Sequence, residues 1–376
     1  MISQSDEMAS RAPRRGKGLW IGVGAVLVVV AIIGYGAVAG WFSSPAISLV
    51  GAGATFPDPL IRKWSSVYVN LTGVRVNYQA IGSGGGISQI TARTVDFAGS
   101  DAPLSSAERT AAPGLLHVPE TIGAVTAAYN LPGIASGLNL TGDVLAQIFL
   151  GNVTTWDDPS IVALNPGVSL PAQAITVVHR SDGSGTTYVW TNYLHLASPS
   201  WNASLVGKSI NWPVGIGQPG NSGVAGKVRQ TSYAIGYVEL AYTVQTSMTV
   251  ARIRNPAGNF ILPSLSSTAA AAAGAAPSLP SPDASWSSVS ILNAPGAESY
   301  PIASFTYLLV YKELNVLGPS MTQARAKALV DFLWWVVHDG QAYSEALVYV
   351  PLPQAVITLD EQALRSVTFN GQALHG

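Results

Sequence analysis

The feature that most constrains the fold of this chain is a unit that it repeats: a short apolar run, a loop and the start of a helical pattern. The apolar runs at residues 46–50, 74–79, 95–99 and 174–178 are typical of buried strands. The clearest helical pattern is that of residues 59–71. Strands that alternate with helices in this way predict an α/β fold with parallel pairing.

The second half of the chain continues the same pattern less regularly. Glycine-rich residues 215–223 lead into a predicted helix at 224–231, and a buried strand is predicted at 234–238. A further strand is predicted at 305–310. The apolar residues 324–337 predict a helix, which we expect to end with Gly340 as its C-cap.

The segment from 264 to 282 is rich in alanine, serine and proline. Such a composition fits a flexible linker, but alanine also has the best helix propensity. We expect a short helix in the alanine tract, 268–276, followed by a surface loop.

The loop from His179 to Thr187 carries the strongest indication of function. It connects a predicted strand to a predicted helix and is rich in glycine and hydroxyl groups. Backbone N–H groups at such a helix N-terminus attract an anion. Arg180 adds a planar, permanently charged donor, and Asp182 is placed to orient it. A surface loop in which the two residues merely pair in solvent is the alternative.

Three other loops offer groups of the same kind. Residues 51–57 present Thr55, and residues 82–86 present Ser83 among glycines. Neither loop continues into the Walker sequence of nucleotide-binding proteins, and each could be only a tight turn. Asp101 follows the buried strand at 95–99, where it could cap the next helix or face a ligand.

Catalytic and metal sites are not indicated. Ser184, His179 and Asp182 lie in one short loop, whereas a catalytic triad converges from separate places with an oriented base. Three further histidines show no metal-ligand spacing with one another or with nearby carboxylates; they are His117, His195 and His338. We therefore expect no enzyme activity, no metal and no cofactor.

Composition narrows the possible partners. The 376 residues suffice for about two domains. Only 10% of them are charged and the net charge is -1, which argues against a nucleic-acid-binding protein. The chain has no cysteine and hence no disulfide or lipid-modified thiol.

The N-terminal residues predict a location outside the cytoplasm. A basic segment, 1–18, precedes an uncharged apolar run at 19–42 that is long enough to cross a bilayer. The run could be a transmembrane anchor or a signal segment that is removed. Either way the rest of the chain is expected at the outer face of the cell membrane. Four sequons fit that location; they begin at Asn70, Asn139, Asn152 and Asn202.

Several blocks of sequence, in order, resemble the substrate-binding proteins of ABC phosphate importers. The resemblance extends from about Leu49 to the C-terminal region. The blocks are residues 51–57, 77–86, 96–104, 150–156, 180–186, 220–224 and 234–239.

The resemblance implies a periplasmic-binding-protein-like fold. Two α/β lobes would be joined by two crossover strands, near 122–129 and 300–309, and would close over a ligand cleft. Lobe 1 would comprise residues 46–124 and 300–376, and lobe 2 residues 125–299. Family members are usually soluble or lipid-anchored, so the N-terminal apolar run is a departure.

The resemblance also implies a function: binding of inorganic phosphate by a monomer outside the cytoplasm, and its delivery to an ABC permease with separate ATPase subunits. The alternatives are another tetrahedral oxyanion such as sulfate or molybdate, a membrane-tethered phosphate sensor, or a secreted phosphatase, which would need an activated nucleophile or a metal cluster. The ligand positions that carry over from the family are Thr55, Phe56 (through its backbone), Ser83, Asp101, Arg180, Asp182, Ser184, Gly185 and Thr186.

Asp101 is expected to decide which anion binds. An ionised carboxylate can only accept hydrogen bonds. Phosphate near neutral pH carries a proton to donate, whereas sulfate does not. Sulfate would leave two acceptors in contact, at a cost of about 1–3 kcal/mol or more.

Overall fold

The computed structural model describes residues 47–273 and 279–374. The predicted anchor or signal segment, 19–42, lies outside the described residues, as does part of the alanine tract. In the part of the chain that the structure describes, no helix combines the length and the apolar character needed to cross a membrane. Residues from Ile47 onward form one compact unit.

Fourteen strands are present in the described residues. They are β1 (Ser48–Gly53), β2 (Arg75–Ala80), β3 (Phe97–Ser100), β4 (Leu115–Asn130), β5 (Asn139–Leu140), β6 (Thr176–Arg180), β7 (Ile216–Gln218), β8 (Ala234–Glu239), β9 (Thr249–Val250), β10 (Arg252–Arg254), β11 (Phe260–Ile261), β12 (Ala303–Tyr311), β13 (Thr368–Phe369) and β14 (Gln372–Ala373).

Helices alternate with most of these strands. They are α1 (Asp58–Thr72), α2 (Ser83–Thr91), α3 (Ser106–Ala111), α4 (Gly142–Leu150), α5 (Pro159–Val162), α6 (Gly185–Ala197), α7 (Gly220–Gln230), α8 (Leu240–Gln245), α9 (Leu265–Ala272), α10 (Gln323–Val337) and α11 (Gln354–Arg365). Short 3₁₀ turns occur at Ala203–Leu205, Leu314–Leu317, Asp339–Tyr343 and Glu345–Leu347.

The main sheet has the strand order β2-β1-β3-β12-β4-β8-β6-β7, with β9 also paired to β4. The three strands at one end, β2, β1 and β3, pair in parallel, and so do β8, β6 and β7 at the other end. Between them β12 and β4 pair antiparallel to their neighbours. The prediction of parallel pairing is therefore correct for the two ends of the sheet and wrong for its centre.

The long strand β4 joins the two halves of the sheet. Its residues through Ala124 pair with β12, and from Val125 onward they pair with β8. Fifteen of its sixteen residues are buried. The chain enters the second half of the fold through β4 and returns through β12, which makes these the two crossover strands of a two-lobe fold.

Most predicted elements are present, with differences at their ends. The helices α2 and α7 begin at Ser83 and Gly220, several residues earlier than predicted, because the glycines there form the first helical turns. The predicted glycine C-cap of α10 is wrong. His338 occupies that position, and Gly340 lies within the following 3₁₀ turn.

Candidate anion-binding site

The N-terminal ends of α2, α6 and α7 meet beside the loop that contains Thr55 and the end of β3. The backbone N–H of Gly185, the first residue of α6, donates to Ser83 Oγ at 3.0 Å. The N–H of Asn221, in the first turn of α7, donates to Thr55 Oγ1 at 3.1 Å. Helix N-termini carry partial positive charge, so this convergence favours a negative ligand.

The glycine loops allow this close approach. The N–H of Gly84 donates to the carbonyl of Gly183 at 2.8 Å, which joins the start of α2 directly to the loop before α6. A Cβ atom on Gly185 would lie 2.5 Å from Ser83 Oγ and 2.6 Å from Asp101 Cβ. Gly185 is therefore required for the contact between the two halves of the cleft.

Arg180 and Asp182 form the ion pair that the sequence predicts. Arg180 Nε donates to Asp182 Oδ1 at 2.7 Å, and Nη2 donates to Oδ2 at 2.5 Å. The side chain of Arg180 is 1% exposed. Burial alone would raise the pKa of Asp182, but the pairing with Arg180 outweighs it and lowers that pKa. The guanidinium is thus fixed in one orientation, with N–H donors left over for a ligand.

Asp101 lies at the end of β3 and is 2% exposed. Its Oδ2 accepts from the Thr186 hydroxyl at 3.2 Å and its Oδ1 from the Thr306 hydroxyl, also at 3.2 Å. Burial raises the pKa of Asp101 to about 7, although the charge of Arg180 acts in the opposite direction. A carboxyl with this pKa changes its charge near neutral pH.

Thr55 and Phe56 lie just after β1 and form part of the wall of the cleft. The Thr55 carbonyl accepts from Tyr242 Oη at 2.6 Å, and the Phe56 carbonyl accepts from Tyr349 Oη at 2.7 Å. Both residues are buried. The N–H of Phe56 donates to no other described residue.

Ser184 caps α6 and does not belong to a catalytic triad. Its Oγ accepts from the Thr187 N–H at 3.0 Å. His179 contacts the Arg180 carbonyl through Nδ1 at 3.0 Å and stacks on the Trp212 ring, while Asp182 is paired with Arg180. Among the residues that the structure describes, no base is therefore placed to activate the Ser184 hydroxyl.

The other histidines within the described residues have structural partners. His117 Nε2 accepts from the Leu104 N–H, and burial lowers the pKa of His117 to about 3. His195 contacts the Trp201 carbonyl, and His338 contacts Glu361. Across residues 47–273 and 279–374, no cluster of histidine and acidic side chains could hold a metal ion.

All nine predicted ligand positions are brought to this cleft. Sequence reasoning missed several side chains that hold them there, among them Tyr349, which bonds to Phe56. Asn221 Nδ2 donates to the hydroxyls of Thr55, at 3.0 Å, and Thr186, at 3.1 Å. Tyr242 bonds to Thr55, and Thr306 bonds to Asp101. Asn221 could have been found, because it lies in the glycine-rich entry to α7.

Comparison with known proteins agrees with this architecture. The family described as the PBP superfamily domain matches residues 40–339. Phosphate-binding protein PstS of Pasteurella multocida is 45% identical over 322 residues, which are 84% of this chain and 89% of that protein. The chain belongs to the PstS family of the PBP superfamily.

Another relative in the family matches a larger share of this chain, and solved structures share the fold. The PstS protein of Methanocaldococcus jannaschii is 36% identical over 369 residues, covering 92% of this chain and 94% of its own length. The phosphate-binding protein of Stenotrophomonas maltophilia superposes with a TM-score of 0.66 at 20% identity, with 88% and 96% of the two chains covered. An ABC-type phosphate transport receptor from Vibrio cholerae superposes with a TM-score of 0.51 at 18% identity. The match covers 81% of this chain and 100% of the receptor chain.

Proposed function

We propose that this chain binds inorganic phosphate outside the cytoplasm and delivers it to an ABC-type import permease whose membrane and ATPase subunits are separate chains. The relatives in its family are phosphate-binding proteins, and they match it over most of their length. The observation that carries the proposal is chemical: a fixed guanidinium and a buried carboxylate lie in one cleft. That pairing suits an anion that also donates a proton.

We propose that the nine positions form the phosphate site. Oxygen atoms of phosphate would accept from Arg180, from the hydroxyls of Thr55, Ser83 and Ser184, and from the N–H groups of Phe56 and Thr186, with Gly185 opening α6 beside Ser83. The P–OH group would donate to Asp101. Asp182 would act on the ligand only through Arg180, since its carboxylate is occupied by the guanidinium and by the Gly220 N–H.

We further propose that the two lobes divide at the crossover strands, with residues 46–124 and 300–376 in lobe 1 and 125–299 in lobe 2. Contacts such as that of Thr186 with Asp101 would then connect the lobes in the closed, ligand-binding form. A permease would recognise this form. The protein would act as a monomer. Residues 19–42 would hold it at the outer face of the cell membrane, or it would be released when this segment is cleaved off.

The proposed role is binding rather than catalysis, because Ser184 has no base and its neighbours are paired. The direct test is isothermal titration of the purified full-length protein with phosphate and with sulfate. Micromolar or tighter binding of phosphate, with sulfate weaker by at least about tenfold, is expected. Equal binding of both anions, or no phosphate binding, would reject the proposal. Hydrolysis of a chromogenic phosphate ester by the protein would instead indicate a phosphatase.

A further inference from the structure

A second buried carboxyl lies behind the site, and the proposed function does not use it. Glu120, in the middle of β4, is 0% exposed. Its Oε1 lies 3.2 Å from Thr306 Oγ1, and its Oε2 has no hydrogen-bond partner among the described residues. An ionised carboxylate in this position would leave a buried charge without compensation, which costs several kcal/mol.

The hydroxyl of Thr306 connects this carboxyl to the site. Thr306 Oγ1 lies 3.2 Å from Glu120 Oε1 and 3.2 Å from Asp101 Oδ1. A hydroxyl has a single hydrogen to donate. The hydroxyl also lies 3.5 Å from the Ser100 carbonyl, which is a longer contact. The two 3.2 Å contacts can both be hydrogen bonds only if one of them takes its hydrogen from a carboxyl group, which is then Glu120 or Asp101.

The surroundings of Asp101 assign the proton to Glu120. Thr186 Oγ1 accepts from Arg180 Nη1 at 3.3 Å and from Asn221 Nδ2 at 3.1 Å, so its own hydrogen is free to point to Asp101 Oδ2. Burial raises the pKa of both carboxyls, but the positive charge of Arg180 opposes it at Asp101, whereas the charge of Asp101 adds to it at Glu120. Asp101 is thus the acceptor at one end of the chain of hydrogen bonds, and Glu120 is the donor at the other.

Other groups near Glu120 do not change this assignment. The titratable neighbours that interact with it are Asp101 and the buried phenol of Tyr78, and no described lysine or arginine acts on its pKa. The amide of Gln341 donates to the Glu120 main-chain carbonyl, not to its carboxyl. Burial, opposed by the bond to Thr306, raises the pKa of Glu120 to about 8.

We propose that Glu120 is a positioning residue whose protonated carboxyl donates to Thr306, turns the Thr306 hydrogen toward Asp101, and so keeps Asp101 the hydrogen-bond acceptor of the site. The proposal rests on the proposed function, because it explains how Asp101 would be held ready for the P–OH group. When Glu120 loses its proton, Thr306 donates to Glu120 instead. Asp101 then loses a hydrogen bond and faces a second negative charge.

The test compares Glu120→Gln with Glu120→Leu in the full-length protein. Glutamine keeps a donor at all pH values, and leucine removes it. Phosphate affinity is measured by titration calorimetry from about pH 6 to about pH 9.5, across the pKa of about 8. In the wild type we expect affinity to fall by about tenfold or more as the pH passes about 8. This alkaline step should be missing in E120Q, and E120L should bind about 3- to 10-fold more weakly than E120Q at neutral pH.

Thr306→Val supplies the matched control, because it cuts the connection while leaving both carboxyls. Its affinity should fall and its alkaline step should shrink, because Asp101 no longer has a hydrogen bond to Thr306 that it could lose when Glu120 is deprotonated. Infrared difference spectra of wild type and E120Q should show a protonated-carboxyl band near neutral pH that only the wild type has. An alkaline step that survives in E120Q, or the absence of that band, would overturn the proposal.

The infrared measurement separates this proposal from the proposed function. If the wild type bound no phosphate, the proposed function would fail, yet the presence of the band would still support a protonated Glu120. If the wild type bound phosphate but lacked the band, the role of Glu120 alone would be wrong.

Discussion

The hydroxyl of Thr186, at the start of α6, lies 3.2 Å from Oδ2 of Asp101, at the end of β3. Because 85 residues separate the two in sequence, this contact joins two distant strand–loop–helix units at one carboxylate. The charge and proton of Asp101 therefore govern what the cleft accepts, and the first two predictions concern this residue.

Replacing Asp101 with asparagine should relax the rejection of sulfate. The amide can donate a hydrogen bond where the carboxylate only accepts, so sulfate no longer brings two acceptors together. The phosphate-to-sulfate affinity ratio, measured by calorimetry, is expected to fall by about 5- to 150-fold. Asp331→Asn, which alters an exposed pair with Lys327, is the control and should leave the ratio as it is. A ratio unchanged in D101N would remove Asp101 from this role.

Acidification should have a related effect on the wild type. Burial raises the pKa of Asp101 to about 7, so below that pH the carboxyl gains a proton and can donate to an oxyanion. Sulfate affinity is therefore expected to increase as the pH falls through about 7, and this increase should be absent in D101N. Sulfate titrations at several pH values check it; a flat profile in the wild type contradicts it.

Substituting Arg180 with lysine should weaken phosphate binding by at least about tenfold. Lysine keeps the charge but cannot make both bonds to Asp182 and also contact Thr186. Phosphate titration of R180K measures the loss. Arg62→Lys alters the ion pair between the exposed Arg62 side chain and Asp58, outside the nine positions, and should bind like the wild type. Equal affinities for R180K and R62K would show that the guanidinium geometry is unimportant.

The ion pair between Lys208 and Glu108 should favour the closed cleft slightly. Lys208 Nζ lies 2.8 Å from the Glu108 carboxylate, which belongs to α3, and the Lys208 carbonyl accepts from the Ser184 N–H. Because both side chains are partly exposed, Lys208→Ala should lower phosphate affinity by less than about fivefold. The difference should shrink in high salt. Lys327→Ala is the control; a loss independent of salt would exclude an electrostatic cause.

Asp360 should make the fold less stable as pH rises. It is 0% exposed, both of its carboxyl oxygens lack a partner among the described residues, and burial raises its pKa well above 3.8. Above pH 3.8 the folded protein keeps a proton that the unfolded chain releases, so the free energy of unfolding decreases with increasing pH. Asp360→Asn should therefore show a shallower decline of Tm with pH than the wild type. Identical slopes would refute this.

The sequence predicted the local parts of the site better than their connections. The glycine-rich segments at the starts of α2, α6 and α7 are visible in the sequence, since glycine and hydroxyl residues stand out between apolar runs. The start of α2 was missed because glycine has a low intrinsic helix propensity, which the contact of Gly84 with Gly183 overrides. The antiparallel centre of the sheet depends on long-range pairing, which local periodicity does not reveal.

Glu120 and Thr306 illustrate what remained hidden. Each lies in a strand whose neighbours are almost all buried and apolar, so neither position suggested a polar function. Their contact spans 186 residues, and that of Thr306 with Asp101 spans 205. Only the three-dimensional arrangement brings the two carboxyls to one hydroxyl.

The position of β12 between β3 and β4 has a consequence for biogenesis. This strand reaches the sheet late in synthesis, after both of its neighbours, and it brings Thr306 to Asp101. A nascent chain that ends before β12 has an open gap in its sheet and lacks part of the wall of the cleft. The surroundings of Asp101 are therefore complete only once β12 has been synthesised and has entered the sheet.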